Sequence, residues 1–168
     1  LMDWLNRYTF PEEEKYENLE YAKKAMELFK EGYNCAQAVF LAFEDKYDIS
    51  HELALKMSSS FGGGIGRMRE VCGAVSGMCM VAGAIYGYDS PTDHEAKKEH
   101  YKRIQELAEI FREQNGSIVC RELLGLAKKG SDNPEPEKRT EEYYKKRPCA
   151  ELVGMAAAIM ENYIKGNE

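Results

Sequence analysis

Residues 71–88 carry no charged side chain, in a chain of which 31% is charged. A stretch like this has to be buried somewhere. A membrane span needs ~20 predominantly apolar residues; this one is shorter and rich in Gly and Ala, so a buried helix without stable membrane insertion is expected. Gly73 and Gly77 are four apart, as are Gly83 and Gly87. Each glycine costs a helix up to ~1 kcal/mol relative to alanine. A helix over about 70–88 with four of them must be held by its neighbours, which predicts a central position. Small residues at this spacing leave a groove where another helix sits close. Just upstream, Phe61-Gly62-Gly63-Gly64-Ile65-Gly66-Arg67 places four glycines in five positions. That predicts a loop with positive φ or close backbone approach. Its first reading is a tight turn delivering Cys72. A weaker one is an anion-binding nest with Arg67 or Arg69 gripping a phosphate or carboxylate. The Lys-Ser/Thr of a P-loop is missing.

The remaining pattern is helical. Tyr16, Leu19, Met26 and Phe29 mark an amphipathic helix over 13–31, stopped by Gly32. Asn34 caps a helix to about Tyr47 with Ala38, Leu41 and Ala42 inward, and Ser50 starts a short third. Pro91 and Asp93 open a long helix to about Gln114 with Tyr101, Ile104, Ala108 and Phe111 as its buried stripe. Ser117 caps a short helix through Leu124, and a last helix covers 148–165. Residues 125–147, with Pro134 and Pro136, read as a long polar loop, mobile or partly disordered. No strand and no repeat is evident. The expectation is an all-α, single-domain bundle of six or seven helices over 13–168, with a glycine-rich loop before its central helix, after an N-terminal extension over 1–12.

Charge narrows the functional classes. The net charge of −6 argues against nucleic acid as partner, which demands a basic face. Leu1–Phe10 has no apolar secretory core, and five scattered cysteines do not resemble a disulfide framework. A cytoplasmic protein is expected. The glycine grooves and the stripe on the first helix suggest a homodimer.

Four of the cysteines share a position. Cys35 follows the cap Asn34, Cys72 opens the glycine-rich helix, Cys120 follows Ser117, and Cys149 follows Pro148, a residue favoured at the first helical position. Each is predicted in the first turn of a helix, where about half a positive charge and unpaired N–H donors favour thiolate. Converging, they would suit a soft metal or cluster, or two reactive pairs; buried and inert cysteines are the plain alternative. Cys79, two turns inside the glycine-rich helix, reads as a small core residue. There is no CxxC pair. His51, His94 and His100 lack metal-ligand spacing and read as surface residues. Glu12-Glu13-Glu14 and Glu141-Glu142 read as solvated charge, as does Lys145-Lys146-Arg147, although cations there would favour a Cys149 thiolate.

The segments Asn34-Cys35-Ala36-Gln37-Ala38-Val39, Phe61 to Arg67 and Cys72-Gly73-Ala74-Val75-Ser76-Gly77 together resemble the redox-active family named for its C-GCAxxG-C-C cysteine pattern. Ser117 to Gly125 and Pro148-Cys149 look like its third and fourth cysteine positions. The likeness covers roughly residues 20–163 and is similar to the non-haem part of split-Soret-type cytochromes, where an iron–sulfur cluster accompanies the cysteines. It implies Cys35, Cys72, Cys120 and Cys149 as cluster ligands, with a two-iron cluster as first candidate, used in electron transfer or redox sensing with a redox partner the sequence does not identify. Gly73, Gly77 and Arg67 are the expected outer contacts. Two readings stay open beside it: a metal-free thiol–disulfide protein cycling pairs such as Cys35–Cys72 or Cys120–Cys149, and a structural zinc or oligomerisation module without redox activity.

Overall fold

A computed structural model describes residues 19–127 and 129–168. The expected extension over 1–12, the start of the first helix at 13 and its Tyr16 lie outside the described residues. Eight α-helices are present among those described. Helix α1 (Glu20–Glu31) ends at Gly32, whose φ of 116° gives the left-handed cap that glycine adopts without strain. Helix α2 (Cys35–Ala42) opens on a full capping box: Gln37 N–H donates to Asn34 Oδ1 (2.9 Å) and Asn34 N–H to Gln37 Oε1 (3.1 Å). It stops earlier than expected and passes into a 3-10 turn at Glu44–Lys46. Helix α3 (His51–Ser59) is capped by Ser50, and α4 is the glycine-rich helix (Gly73–Tyr86). Asp93 caps α5 (His94–Asn115), and α6 is a single turn (Cys120–Leu123). Helices α7 (Glu141–Lys146) and α8 (Cys149–Gly166) complete the chain.

The centre is shared more widely than the glycine pattern predicts. Helix α2 packs against α1, α3, α4 and α8, and α8 packs against α1, α2, α4 and α5. The two are correspondingly apolar. Ala36, Ala38, Val39, Phe40, Leu41 and Ala42 of α2 are all buried, and α8 buries most residues from Leu152 to Ile164. Their burial explains why α2 needs no amphipathic pattern. The stripe on α5 is rotated from the expected one: Leu107, Ile110 and Phe111 are buried, whereas Tyr101 is exposed.

Only one of the two glycine grooves is used. A Cβ on Gly73 would lie 2.9 Å from the Phe61 carbonyl oxygen and 3.1 Å from Cys35 Cβ, and one on Gly77 2.8 Å from the Ala36 oxygen. Backbone therefore meets backbone where α4 crosses α2. At Gly83 a Cβ would touch nothing within 4 Å. The first groove is filled by α2 of the same chain. Of the expected α1 stripe, Phe29 is buried while Leu19 and Met26 are half-buried, and Ala22 and Ala25 join Phe29 in the core.

Two long-range connections escaped the helical reading. Val71 and Val119 form an isolated antiparallel bridge. Cys72 N–H donates to the Ile118 oxygen (2.8 Å) and Cys120 N–H to the Glu70 oxygen (2.6 Å), so the starts of α4 and α6 are stitched side by side. The second is the segment after α6. It contains a helix, α7, capped by Thr140, and it folds back on the body. Arg139 donates from Nη1 to the Phe29 oxygen (2.6 Å) and from Nη2 to the Tyr33 oxygen (2.9 Å), and its guanidinium lies 4.0 Å over the Phe29 ring. The expectation of a loose loop is corrected for its described residues: one arginine closes the exposed carbonyls at the end of α1.

Candidate functional site

Cys35, Cys72, Cys120 and Cys149 all line one cavity of about 430 Å³. Cys35, Cys120 and Cys149 are the first residues of α2, α6 and α8, and Cys72 is the cap of α4. The local devices that start each helix thereby aim its thiol. The capping box sets Cys35, the Val71–Val119 bridge sets Cys72 beside Cys120, and Pro148 leads into Cys149. The cap expected from Ser117 does not form. Val119 occupies that position, while Ser117 Oγ accepts from Val119 N–H (2.9 Å) and donates to the Glu122 carboxylate. Among the described residues no group of three His, Cys, Asp or Glu side chains is placed to hold a single metal ion, although Cys35 and Cys149 are close enough to share a hydrogen bond. Cys79 lies apart, in a shallow hollow with Tyr88, His100 and Tyr101. His51 and His94 are exposed, and His100 is half-buried against Arg103.

The thiols do not titrate alike, which corrects the expectation of four helix-stabilised thiolates. Cys35 donates its hydrogen bond to Cys149; this, and burial, hold Cys35 well above the ordinary thiol value. It is surrounded by protein yet faces the cavity, so it stays half-buried by surface area. Burial pushes Cys72 up to about 12, although the Ala74 and Val75 N–H groups pull the other way without closing a formal cap. Burial also raises Cys120, against the opposing pull of Arg69, whose Nη1 lies 3.7 Å from Cys120 Sγ. Only Cys149 is lowered, to about 7. The Cys35 hydrogen bond is the main cause, helped by Arg147 and Tyr143 against the cost of burial. A half charge at a helix end is a modest effect, and desolvation outweighs it even where Arg69 faces Cys120 or backbone N–H groups face Cys72.

The glycine turn is the floor of the cavity. Gly63, Gly64, Ile65, Gly66 and Arg67 are five consecutive residues with φ between 56° and 70°, a left-handed turn. Each costs an L-residue roughly 1–2 kcal/mol; glycine escapes that cost, whereas Ile65 and Arg67 bear it. Strain of this kind persists where surrounding structure imposes it, often at functional sites. Contacts account for it here: a Cβ on Gly64 would fall 2.7 Å from Cys120 Cβ and 2.8 Å from Glu70 N. Gly73 and Arg67 line the cavity, whereas Gly77 does not; it is used against α2.

The rim joins the arginines after the glycine turn to residues of the segment read as a loop. Arg67, Arg69, Glu137, Arg139, Tyr143 and Arg147 all face the cavity. Arg69 Nε donates to Asp132 (2.8 Å) and holds that carboxyl below its usual value. Of the run Lys145-Lys146-Arg147, Lys146 pairs with Glu142 in solvent (2.8 Å), while Arg147 turns inward. A signal for α7 was present in the sequence, a Thr140 cap with Glu141-Glu142 in the first turn and lysines in the last. Arg147 stands two residues before Cys149, so its place near that thiol was legible, but nothing local announces that Arg139 returns to the cavity.

Three comparisons bear on this arrangement. Residues 33–163 match the family described as "Putative redox-active protein (C_GCAxxG_C_C)". An uncharacterized protein of Archaeoglobus fulgidus is 30% identical over 158 residues, covering 89% of this chain and 97% of that one. No solved structure matches. No described helix is long and apolar enough to cross a membrane. With Cys35, Cys72, Cys120 and Cys149 lining one cavity, the chain belongs to the C_GCAxxG_C_C family.

Proposed function

We propose that Cys35, Cys72, Cys120 and Cys149 hold an iron–sulfur cluster and that the protein carries electrons, or senses redox state, in a reducing cytoplasm. The observation that carries this reading is four thiols from four separate helix starts around one cavity of about 430 Å³. The surroundings suit such a group. A tetrahedral zinc with ~2.3 Å bonds needs four thiolates on one point; a cavity of about 430 Å³ has room for a group of several atoms. Four arginines line the same cavity, and their cations offset the charge of thiolate ligands. Arg69 donates toward Cys120 Sγ, and hydrogen bonds to sulfur tune potential. When bound, the cluster supplies one-electron transfer. Asp132 fixes Arg69, and the strap carrying Pro134, Pro136 and Glu137 narrows access of water.

Anaerobically purified protein should then be brown and contain iron and acid-labile sulfide. Each of Cys35→Ser, Cys72→Ser, Cys120→Ser and Cys149→Ser should lower that content, and Cys79→Ser should keep it. Colourless, iron-free protein from a cluster-competent anaerobic preparation would refute the reading.

A metal-free dithiol is the second reading, and one observation favours it: Cys35 is hydrogen-bonded to the low-pKa Cys149. This pair differs from both pairs expected from sequence. Oxidation would join the two sulfurs, releasing two protons and passing two electrons to the oxidant. Mass spectrometry of oxidised, iron-free protein should then find a Cys35–Cys149 disulfide; another pairing, or none, excludes this version.

A further inference from the structure

Arg67, Arg69 and Arg147 converge on one carboxylate oxygen. Glu137 Oε1 lies 2.6 Å from Arg147 Nη2, 4.0 Å from Arg67 Nη1 and 4.0 Å from Arg69 Nη2. The last two distances are in ion-pair range but too long for a charge-assisted hydrogen bond, which runs to about 2.9 Å. Asp132 is the other acid, 2.8 Å from Arg69 Nε and 3.9 Å from Arg67 Nη2. Arg67 Nε is engaged with the Asn133 oxygen (2.8 Å). Three guanidiniums thus face two carboxylates, and Arg139 brings a fourth cation to the same cavity.

The cations and the acid differ in placement. The side chains of Arg67, Arg69 and Arg147 are 18%, 7% and 19% exposed, while Glu137 is 40% exposed. Glu137 sits at the rim on an extended segment without helical hydrogen bonds, just after Pro136. Guanidiniums are rigid forks that match oxyanions in two-point contacts. Here the forks of Arg69 and Arg67 are held in place by Asp132 and the Asn133 oxygen, and Glu137 reaches only Arg147 at hydrogen-bond distance.

We propose that this triangle binds a small oxyanion, with Glu137 as its intramolecular stand-in. The anion would sit one guanidinium away from the thiols, since Arg69 reaches Cys120 Sγ with Nη1 and faces Glu137 with Nη2. The inference needs only the arginine geometry and holds whichever redox reading is correct.

Calorimetric titration of the anaerobically purified full chain tests it, with sodium sulfate and, in parallel, sodium acetate at constant ionic strength. The two arms separate a free tetrahedral oxyanion from a carboxylate. Glu137→Gln keeps every cation and removes the competing negative charge, so it should bind one of the two anions at least about tenfold more tightly than the wild type. Adding Arg67→Gln to that variant should abolish the gain. Equal affinities of the wild type and Glu137→Gln, saturable binding in neither protein, or unchanged binding in the double variant would overturn the site. The first two comparisons stand even if the double variant does not fold.

Discussion

Replacing Gly73 by alanine, with Gly83→Ala as its partner, separates packing from propensity within a single helix. Both glycines lie in α4, and at either one alanine removes a helix penalty of up to ~1 kcal/mol. At Gly83 the new methyl would meet nothing within 4 Å, so the variant should gain most of that amount. At Gly73 the methyl would press on the Phe61 carbonyl at 2.9 Å and Cys35 Cβ at 3.1 Å. One contact is backbone and the other is the fixed root of a side chain, so neither can swing aside; α2 and α4 must separate. Overpacking of this kind costs typically ~1–3 kcal/mol. Gly73 is the first residue of α4, where the propensity gain is well below its interior value, so a net loss on the order of 1–2 kcal/mol is expected. In a domain of this size the midpoint moves about 2–4 °C per kcal/mol. Thermal unfolding should therefore show Gly73→Ala falling and Gly83→Ala rising. Midpoints that shift in the same direction would refute the claim that α4 uses only its first groove. Separating α2 from α4 also moves Cys35 relative to Cys72, so Gly73→Ala should retain less iron and sulfide than Gly83→Ala.

Other outcomes follow from the same geometry. In reduced, iron-free protein Cys149 should react first with iodoacetamide, about tenfold faster at pH 8 than at pH 6, because its value near 7 leaves it largely thiolate above that and thiol below; mass-spectrometric mapping that finds Cys72 or Cys79 first would count against it. Burial raises Cys72 to about 12 and Cys79 to about 11 from an ordinary 9. A raised folded value contributes stability that is present below the unfolded value and lost as pH climbs to the folded one. Iron-free protein should therefore lose thermal stability between pH 9 and 11, with Cys79→Ser reducing that loss. Arg139→Gln gives up two charge-assisted bonds to the end of α1, each worth ~1.5–3 kcal/mol when intact, part of which glutamine and water restore. It should lower the unfolding midpoint and expose residues 125–140 to limited proteolysis, and an unchanged cleavage pattern would show that the strap is anchored elsewhere.

Local signals made the helices legible. Asn34, Ser50 and Asp93 each cap the helix they were expected to cap, and Gly32 and Gly116 end theirs in left-handed conformation. These devices act over three or four residues, within reach of a sequence pattern. The stripe on α5 was harder to read. Tyr101 and Leu107 are both apolar enough to be chosen, and which is covered depends on where α4 and α8 lie. Gly73 and Gly83 carry the same local pattern for the same reason, yet only one has a neighbour.

By itself, the sequence determined a helical chain, a cysteine at the start of each of four helices, and a glycine turn just before Cys72; that the turn packs Gly64 against Cys120 came from the fold. Only the tertiary structure decided that those four thiols meet, that Cys35 pairs with Cys149 rather than with Cys72, and that one of the four is acidic. It also brought back Arg139 and Glu137 from a segment that reads as loop. The physical reason is the same in each case. A cap or a turn is set by neighbours along the chain, whereas the charge, burial and partner of a thiol are set by whatever the fold places beside it.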